Sequence, residues 1–280
     1  MANIDLTRTR SNIQSLTILQ SLRDVNNQLA THQLRLGTGK RINSAGDDPA
    51  GLTIATKLNS RYRVLGALYD NVGQAKNLLN VAEGGLLNVN DILVTMQEKI
   101  MMSASDTLGT AERQAITQQL IQMVAEIDDI ATQTEFNGVK LLNSSTGLNF
   151  QTGPDSQTTW TTAIYTPTAL GMTALAALTP TDVIDSTNYT TYIAEIDAAM
   201  GTVSQGLTEL GSLVNRFTAK EDMISVARLN TEAAYSRIYN ADMALEQLEA
   251  TKYQILQQTS MMMLAQANVN AASVLTLFGS

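Results

Sequence analysis

Apolar residues recur along this chain in alternating steps of three and four. The longest run is Leu65, Leu68, Val72, Ala75, Leu79, Ala82, Leu86, Val89, Leu93, Met96 and Ile100. Such alternation keeps one seam of a helix turned toward a partner in a left-handed supercoil. At 1.5 Å per residue it predicts a helix about 50 Å long. Gly84-Gly85 falls inside it, a local weak point of about 1 kcal/mol per glycine relative to alanine. A shorter seam precedes it: Ile18, Leu22, Val25, Leu29, His32 and Leu36, closed by Gly37-Thr38-Gly39. Asp48 and Pro49 suit the N-cap and first position of the following helix. After a break at Ser105 to Thr110, Ile116, Leu120, Met123, Ile127 and Ile130 predict a third helix, ended by Phe136-Asn137-Gly138. Ile193, Ile196, Met200, Val203, Leu207, Leu210, Val214 and Phe217 predict a fourth. Glu221 interrupts that seam before Ile224 resumes it toward Tyr235 and Ile238.

The last stretch differs from all of these. After Lys252 there is no Asp, Glu, Lys or Arg, and apolar residues fill two stripes. One holds Ile255, Met262, Ala265, Val269 and Ala272; the other holds Tyr253, Leu256, Met263, Ala267, Ala271, Val274 and Phe278. Two stripes exceed the single apolar face of an ordinary surface helix, which predicts burial over most of the circumference. Gln257, Gln258, Gln266, Asn268 and Asn270 interrupt it, so it is not a membrane span. Other copies of the chain are the expected cover.

Between the long helices, about 143–190, Ser, Thr, Asn and Gly dominate and three of the four prolines occur. Leu148 to Thr152 alternates, Gly153-Pro154-Asp155 turns, and Thr158 to Tyr165 returns, which predicts a small hairpin module. Leu175 and Leu178 suggest a short helix. The expected fold is therefore mainly α: a long-helix coiled coil or bundle with a small β-hairpin module and with the N- and C-terminal helices paired.

Composition narrows the chemistry. A net charge of −8 opposes nucleic-acid binding, which needs a basic footprint. The absence of Cys removes disulfides and thiolate metal sites. The first ten residues lack an apolar h-region, so a secreted fate would need an export route other than a signal peptide. His32 is the single histidine and lies on a seam, where packing is the better reading than catalysis or ligation. Gly37-Thr38-Gly39-Lys40 lacks phosphate-loop spacing. Asp47-Asp48 fits capping better than calcium, for no further oxygen ligands follow at EF-hand spacing. Glu126, Asp128 and Asp129 fall on the solvated side of their helix. Met261-Met262-Met263 fits adaptable packing better than a copper site. No catalytic residues, metal site or cofactor is expected.

Specific motifs go further. The run Arg35 to Leu52, and within it Arg41, Asn43, Asp47, Asp48 and Gly51, closely resembles the N-terminal signature of bacterial flagellins. Phe136-Asn137-Gly138-Val139-Lys140-Leu141-Leu142 resembles a second motif of that family. Leu213-Val214-Asn215-Arg216-Phe217, Ser236 to Asp242, Gln254 to Gln258, Leu264 to Asn268 and Val274 to Leu277 are similar to its C-terminal motifs. The resemblance covers both arms in order. It implies a subunit of the flagellar filament, a secreted, extracellular homopolymer of many copies that serves swimming. It implies residues 1–43 and 240–280 as the two arms of an inner domain. Residues 44–239 would form a rod-like outer domain carrying the hairpin insert. Ile18, Leu22, Val25, Leu29, Leu36, Ile255, Leu256, Met262, Met263, Leu264, Val269, Val274 and Leu275 become the expected assembly residues, with seams poorly ordered until neighbours bury them. Implied partners are the flagellar type III export apparatus, a flagellin chaperone, and junction and cap proteins, with neither nucleic acid nor membrane insertion. The hook–filament junction protein is the alternative within the flagellum. A secreted enzyme on the same scaffold is the alternative outside it, though the middle segment has no His or Cys to build a site. One departure stands out. Many flagellins carry a patch read by the vertebrate innate flagellin receptor, and here Thr95 and Gln97 stand for its two arginines and Lys99 for its central leucine. Glu98 is kept.

Overall fold

The computed structural model describes the backbone of residues 12–278 and the side chains of residues 12–270. Among the described residues the order is α1 (Ile13–Thr38), α2 (Pro49–Ser103), α3 (Thr110–Gln133), β1 (Glu135–Phe136), β2 (Val139–Lys140), β3 (Gly147–Gln151), β4 (Gln157–Thr161), α4 (Thr173–Ala176), α5 (Tyr189–Tyr239) and α6 (Met243–Phe278). The chain divides into two units, one of Arg63–Leu229 and one of the residues up to Tyr62 together with those from Asn230 onward.

In the Arg63–Leu229 unit, every seam residue from Leu65 to Ile100 is buried. Ile196, Val203, Leu210, Phe217 and Ile224 of α5 join the same core, as do Leu120 and Ile127 of α3. The helices α2 and α5 run antiparallel. Lys76 Nζ donates to Glu221 at 2.7 Å, and Gln97 donates to Asp197 at 2.9 Å. Glu221 breaks the apolar pattern yet not the helix, because its carboxylate reaches the Lys76 ammonium. The expected weakness at Gly84-Gly85 is absent from the geometry, and α2 runs on unbroken. A Cβ on Gly85 would lie 2.8 Å from Leu142 Cδ1 and 2.9 Å from Thr134 Oγ1, so glycine makes room for the chain leaving α3.

Two antiparallel hairpins lie against this core. In the longer, β3 pairs β4 with Leu148 opposite Trp160 and Phe150 opposite Thr158. Trp160 is buried, and Phe150 meets Phe217 edge to face at 5.5 Å between centroids. The shorter hairpin, β1–β2, is one the spacing did not predict; Phe136-Asn137-Gly138 was expected only to end α3. Asn137 (φ 52°) and Gly138 (φ 79°) make the two left-handed positions of a tight hairpin turn that Asn-Gly favours.

In the other unit, α1 and α6 pair antiparallel. Asn12 donates to the Ala267 carbonyl at 3.3 Å, and Gln257 to Asn26 at 2.7 Å. Val25 and Leu29 are buried in this pair. Both helices are continuous over these ranges, and each supplies a seam for the other.

Candidate assembly surface

The pairing of α1 with α6 sorts the residues of α6 by depth. Besides the half-buried Glu249, the buried or half-buried positions are Glu246, Ala250, Tyr253, Gln257, Ser260, Leu264 and Ala267, in steps of four and three. These are the a and d positions of a heptad facing α1, where Ile18, Leu22, Val25, Leu29, His32 and Leu36 form the matching seam. Opposite that seam lies the f position, the most solvent-facing in a two-helix coil and ordinarily polar. On α6 it is occupied by Leu248, Ile255, Met262 and Val269, which are 61%, 58%, 66% and 59% exposed. On α1 the equivalent positions are Ile13, Gln20, Asn27 and Leu34, with Ile13 and Leu34 48% and 53% exposed. The outer face of α1 is thus mixed, polar at its centre, whereas that of α6 is an unbroken apolar stripe over Leu248 to Val269.

This geometry divides the expected assembly residues. Ile255, Met262 and Val269 form the stripe, and Leu256 and Met263 flank it, all exposed. Leu264 instead turns toward α1 and is half-buried. The second of the two stripes read from the sequence is therefore split, with Tyr253 and Ala267 facing α1 while Leu256 and Met263 face outward. Ile18, Leu22, Val25, Leu29 and Leu36 all face α6 rather than outward. Val274 and Leu275 belong to α6, but their side chains lie outside the described residues. Leu248 was missed because Glu246, Glu249 and Lys252 surround it in sequence; its signal was the step of seven to Ile255.

Where the two arms meet, the signature residues form a connected group. Arg41 donates from Nε at 3.0 Å and Nη2 at 2.8 Å to the Ile238 carbonyl, and its backbone N–H donates to the Tyr239 carbonyl at 2.8 Å. A guanidinium on the last carbonyls of α5 satisfies groups that have no helical partner and complements the negative end of the helix dipole. Arg41 also pairs with Asp48 at 3.3 Å. Asp48 accepts from the Gly51 N–H at 2.8 Å, which is the predicted N-cap of α2. A Cβ on Gly51 would fall 2.2 Å from Asp48 Oδ2 and 2.9 Å from Ile42 Cδ1, so a larger residue would push the capping carboxylate aside. Asp47 accepts from the backbone N–H groups of Ser44 and Asn43, each at 2.8 Å. Those two donors hold its carboxyl below the usual aspartate range. The Asn43 side chain donates to the Lys40 carbonyl at 2.9 Å.

His32 has a packing environment. Its Nδ1 lies 2.5 Å from Glu246 Oε2, its ring stacks on Tyr253 at 5.3 Å, and Arg35 approaches the other Glu246 oxygen at 3.4 Å. These contacts tie α1 to α6.

The remaining signature residues lie in the other unit. Phe136 is half-buried at the β1–β2 turn with Asn137 and Gly138, whereas Phe217 is fully buried and its neighbours Asn215 and Arg216 are exposed. In the departed patch, Met96 is buried in the core, Gln97 is committed to Asp197, Glu98 is exposed, and Thr95 and Lys99 are half-exposed. Among the described residues no group of His, Cys, Asp or Glu could hold a metal ion, and no helix is long and apolar enough to cross a membrane.

Comparison with known proteins gives the same two arms. Residues 10–147 match the bacterial flagellin N-terminal helical region, and residues 193–278 match the bacterial flagellin C-terminal helical region. The chain is 36% identical over 245 residues to a flagellin of Halalkalibacterium halodurans, covering 87% of this chain and 89% of that one. It is 32% identical to the flagellar filament 30.7 kDa core protein of Treponema maltophilum, over 95% of this chain and 98% of that one. With a flagellin of Bacillus subtilis the identity is 33%, over 96% of this chain and 99% of the relative. With both helical regions matched and relatives covered almost end to end, the chain belongs to the bacterial flagellin family.

Proposed function

We infer that this protein is the structural subunit that polymerises into the bacterial flagellar filament and has no catalytic role. The observation that carries this reading is the apolar f stripe of α6. A large aliphatic side chain gains about 1.5–3 kcal/mol on going from exposed to buried. Four stripe residues more than half exposed therefore leave roughly 5 kcal/mol per subunit to be gained from a neighbour. That term is repeated by every copy in a polymer. The stripe faces away from α1, so it can be covered without opening the arm pair. An open helical assembly needs a surface that meets a different surface on the next copy. The mixed outer face of α1, with Gln20 and Asn27 at its centre, and the continuous apolar outer face of α6 supply that asymmetry.

On this reading residues 1–43 and 240–280 are the arms of the inner domain, and residues 44–239 the rod-like outer domain with its insert at about 143–190. The filament lies outside the cell, and the subunit reaches it through the flagellar type III export apparatus with a chaperone on the C-terminal arm. Junction and cap proteins meet the filament at its ends. The signature group around Arg41, Asn43, Asp47, Asp48 and Gly51 sets where the arms leave α2 and α5.

The test is self-assembly of the purified full-length chain followed by electron microscopy. Filaments many subunits long are expected. Short stubs would indicate a junction role, and an unassembled monomer under all polymerising conditions would overturn the reading.

A further inference from the structure

Three consecutive methionines lie on the outward side of α6. Met262 occupies the stripe itself, 66% exposed, and Met261 and Met263 stand beside it at 49% and 52%. Met96 and Met172, by contrast, are fully buried in the core of the other unit. Methionine adapts well to irregular apolar contacts, and its sulfur is also open to oxidation. A surface that must be bare before assembly and dry after it therefore carries its redox chemistry where assembly happens.

Resting on the reading that this stripe meets neighbouring subunits, we propose that Met261, Met262 and Met263 are an oxidative modification site that controls polymerisation. Two-electron oxidants of the peroxide class act on the free subunit. A sulfur lone pair attacks one peroxide oxygen, the S–O bond forms as the O–O bond breaks, and after proton transfer the second oxygen leaves as water. Sulfur loses two electrons and the peroxide gains them. The thioether becomes a sulfoxide, a polar group with a strong acceptor oxygen. Along the stripe on either side stand Ile255 and Val269, whose side chains have no donor to offer. The Thr259 hydroxyl, one turn away, is already committed to the Ile255 carbonyl at 2.9 Å. The Gln266 amide is likewise committed, to Asn270 at 3.1 Å. The exposed Gln258 amide, one turn before Met262, can meet only part of the demand, so three sulfoxide oxygens dried at this surface oppose docking. Once a filament has formed, burial of the stripe shields the same sulfurs. Sensitivity belongs to the unassembled subunit.

The experiment treats the purified full-length chain with hydrogen peroxide before and after polymerisation. Oxygen addition is mapped by peptide mass spectrometry, and assembly is followed by sedimentation. In the free subunit Met261, Met262 and Met263 should gain oxygen along with the exposed Met101, Met102, Met223 and Met243. The concentration needed for assembly should rise about tenfold or more, and methionine sulfoxide reductase should restore it. In filaments the three should be protected. A variant with Met261→Leu, Met262→Leu and Met263→Leu, still oxidised at its other exposed methionines, should assemble as well after peroxide as before. Normal assembly of wild-type chain carrying the three sulfoxides would overturn the proposal, as would equal loss of assembly in the triple variant. The single variant Met262→Gln places a permanent acceptor on the stripe and should raise the assembly concentration without any oxidant; unchanged assembly would likewise overturn it. Failure of untreated wild type to polymerise would instead count against the filament reading itself.

Discussion

The guanidinium of Arg41 donates two hydrogen bonds to the single carbonyl oxygen of Ile238, joining positions 197 residues apart. Only a planar fork can place Nε and Nη2 on one acceptor, so lysine is not a substitute. The bond ties the end of the first arm to the end of α5, just before the second arm begins. Arg41→Lys is expected to cost about 1–2 kcal/mol in the stability of the arm unit, the usual range for a charged hydrogen bond partly open to solvent. Amide hydrogen exchange should become faster around 236–242 while protection from Leu65 to Ile100 stays unchanged. Equal protection at 236–242 in both proteins would show the bond to be dispensable.

Met262 and Leu264 lie two residues apart and face opposite ways, which separates two consequences of introducing a carboxylate. Met262→Asp places the charge on the outward stripe. Polymerisation should stop, because a charge dried at a contact costs several kcal/mol, while the helix content of the subunit is retained. Leu264→Asp places it against α1, so assembly and the α1–α6 pair should both suffer, with loss of helical circular dichroism. Filaments of normal length from Met262→Asp would show that the stripe is not a contact.

Glu221 carries the pH dependence of the α2–α5 pair. The hydrogen bond from Lys76, with a smaller one from Tyr69, holds its carboxyl below the usual glutamate range. A carboxyl with a depressed folded value adds stability above its unfolded pKa, about 4.3, and loses it as pH falls through the folded value. Glu221→Gln should therefore lower stability by up to about 1 kcal/mol at pH 7. The difference from wild type should close as the pH is taken below about 4. Asp47, Asp182 and Asp185 are depressed in the same direction by hydrogen bonds from neighbouring backbone and hydroxyl groups. Thermal melts of both proteins across that range make the comparison. A gap that widened toward low pH would contradict the sign.

The patch from Val94 to Met102 should bind the vertebrate innate flagellin receptor weakly. Thr95 and Gln97 offer no guanidinium, the Gln97 amide is already committed to Asp197, and Lys99 puts an ammonium where an apolar anchor is expected. Affinity at least about tenfold below that of a flagellin with the full motif corresponds to 1.4 kcal/mol or more. Titration of the monomer against the receptor ectodomain reads it directly. Comparable affinity would mean that contacts outside 94–102 carry recognition.

Much of the architecture was legible in one dimension because helical packing repeats. The eleven-residue seam from Leu65 to Ile100 is buried along its whole length, since an alternation of three and four can satisfy only one kind of partner. The N-cap at Asp48 and the β3–β4 turn were readable for the same reason: their chemistry is local. The Asn137-Gly138 turn is equally local, since its two left-handed positions fall on the residue pair that favours them. What periodicity could not decide is which apolar positions a helix spends inside its own chain. After Lys252 the two stripes look alike. It took α1, more than 200 residues earlier, to claim Tyr253, Leu264 and Ala267 and to leave Ile255, Met262 and Val269 uncovered. Likewise nothing near Glu221 announces Lys76, and nothing near Arg41 announces Ile238. A side chain's own pattern states that it needs a partner; only the folded chain states whether that partner lies within the molecule or must come from the next one.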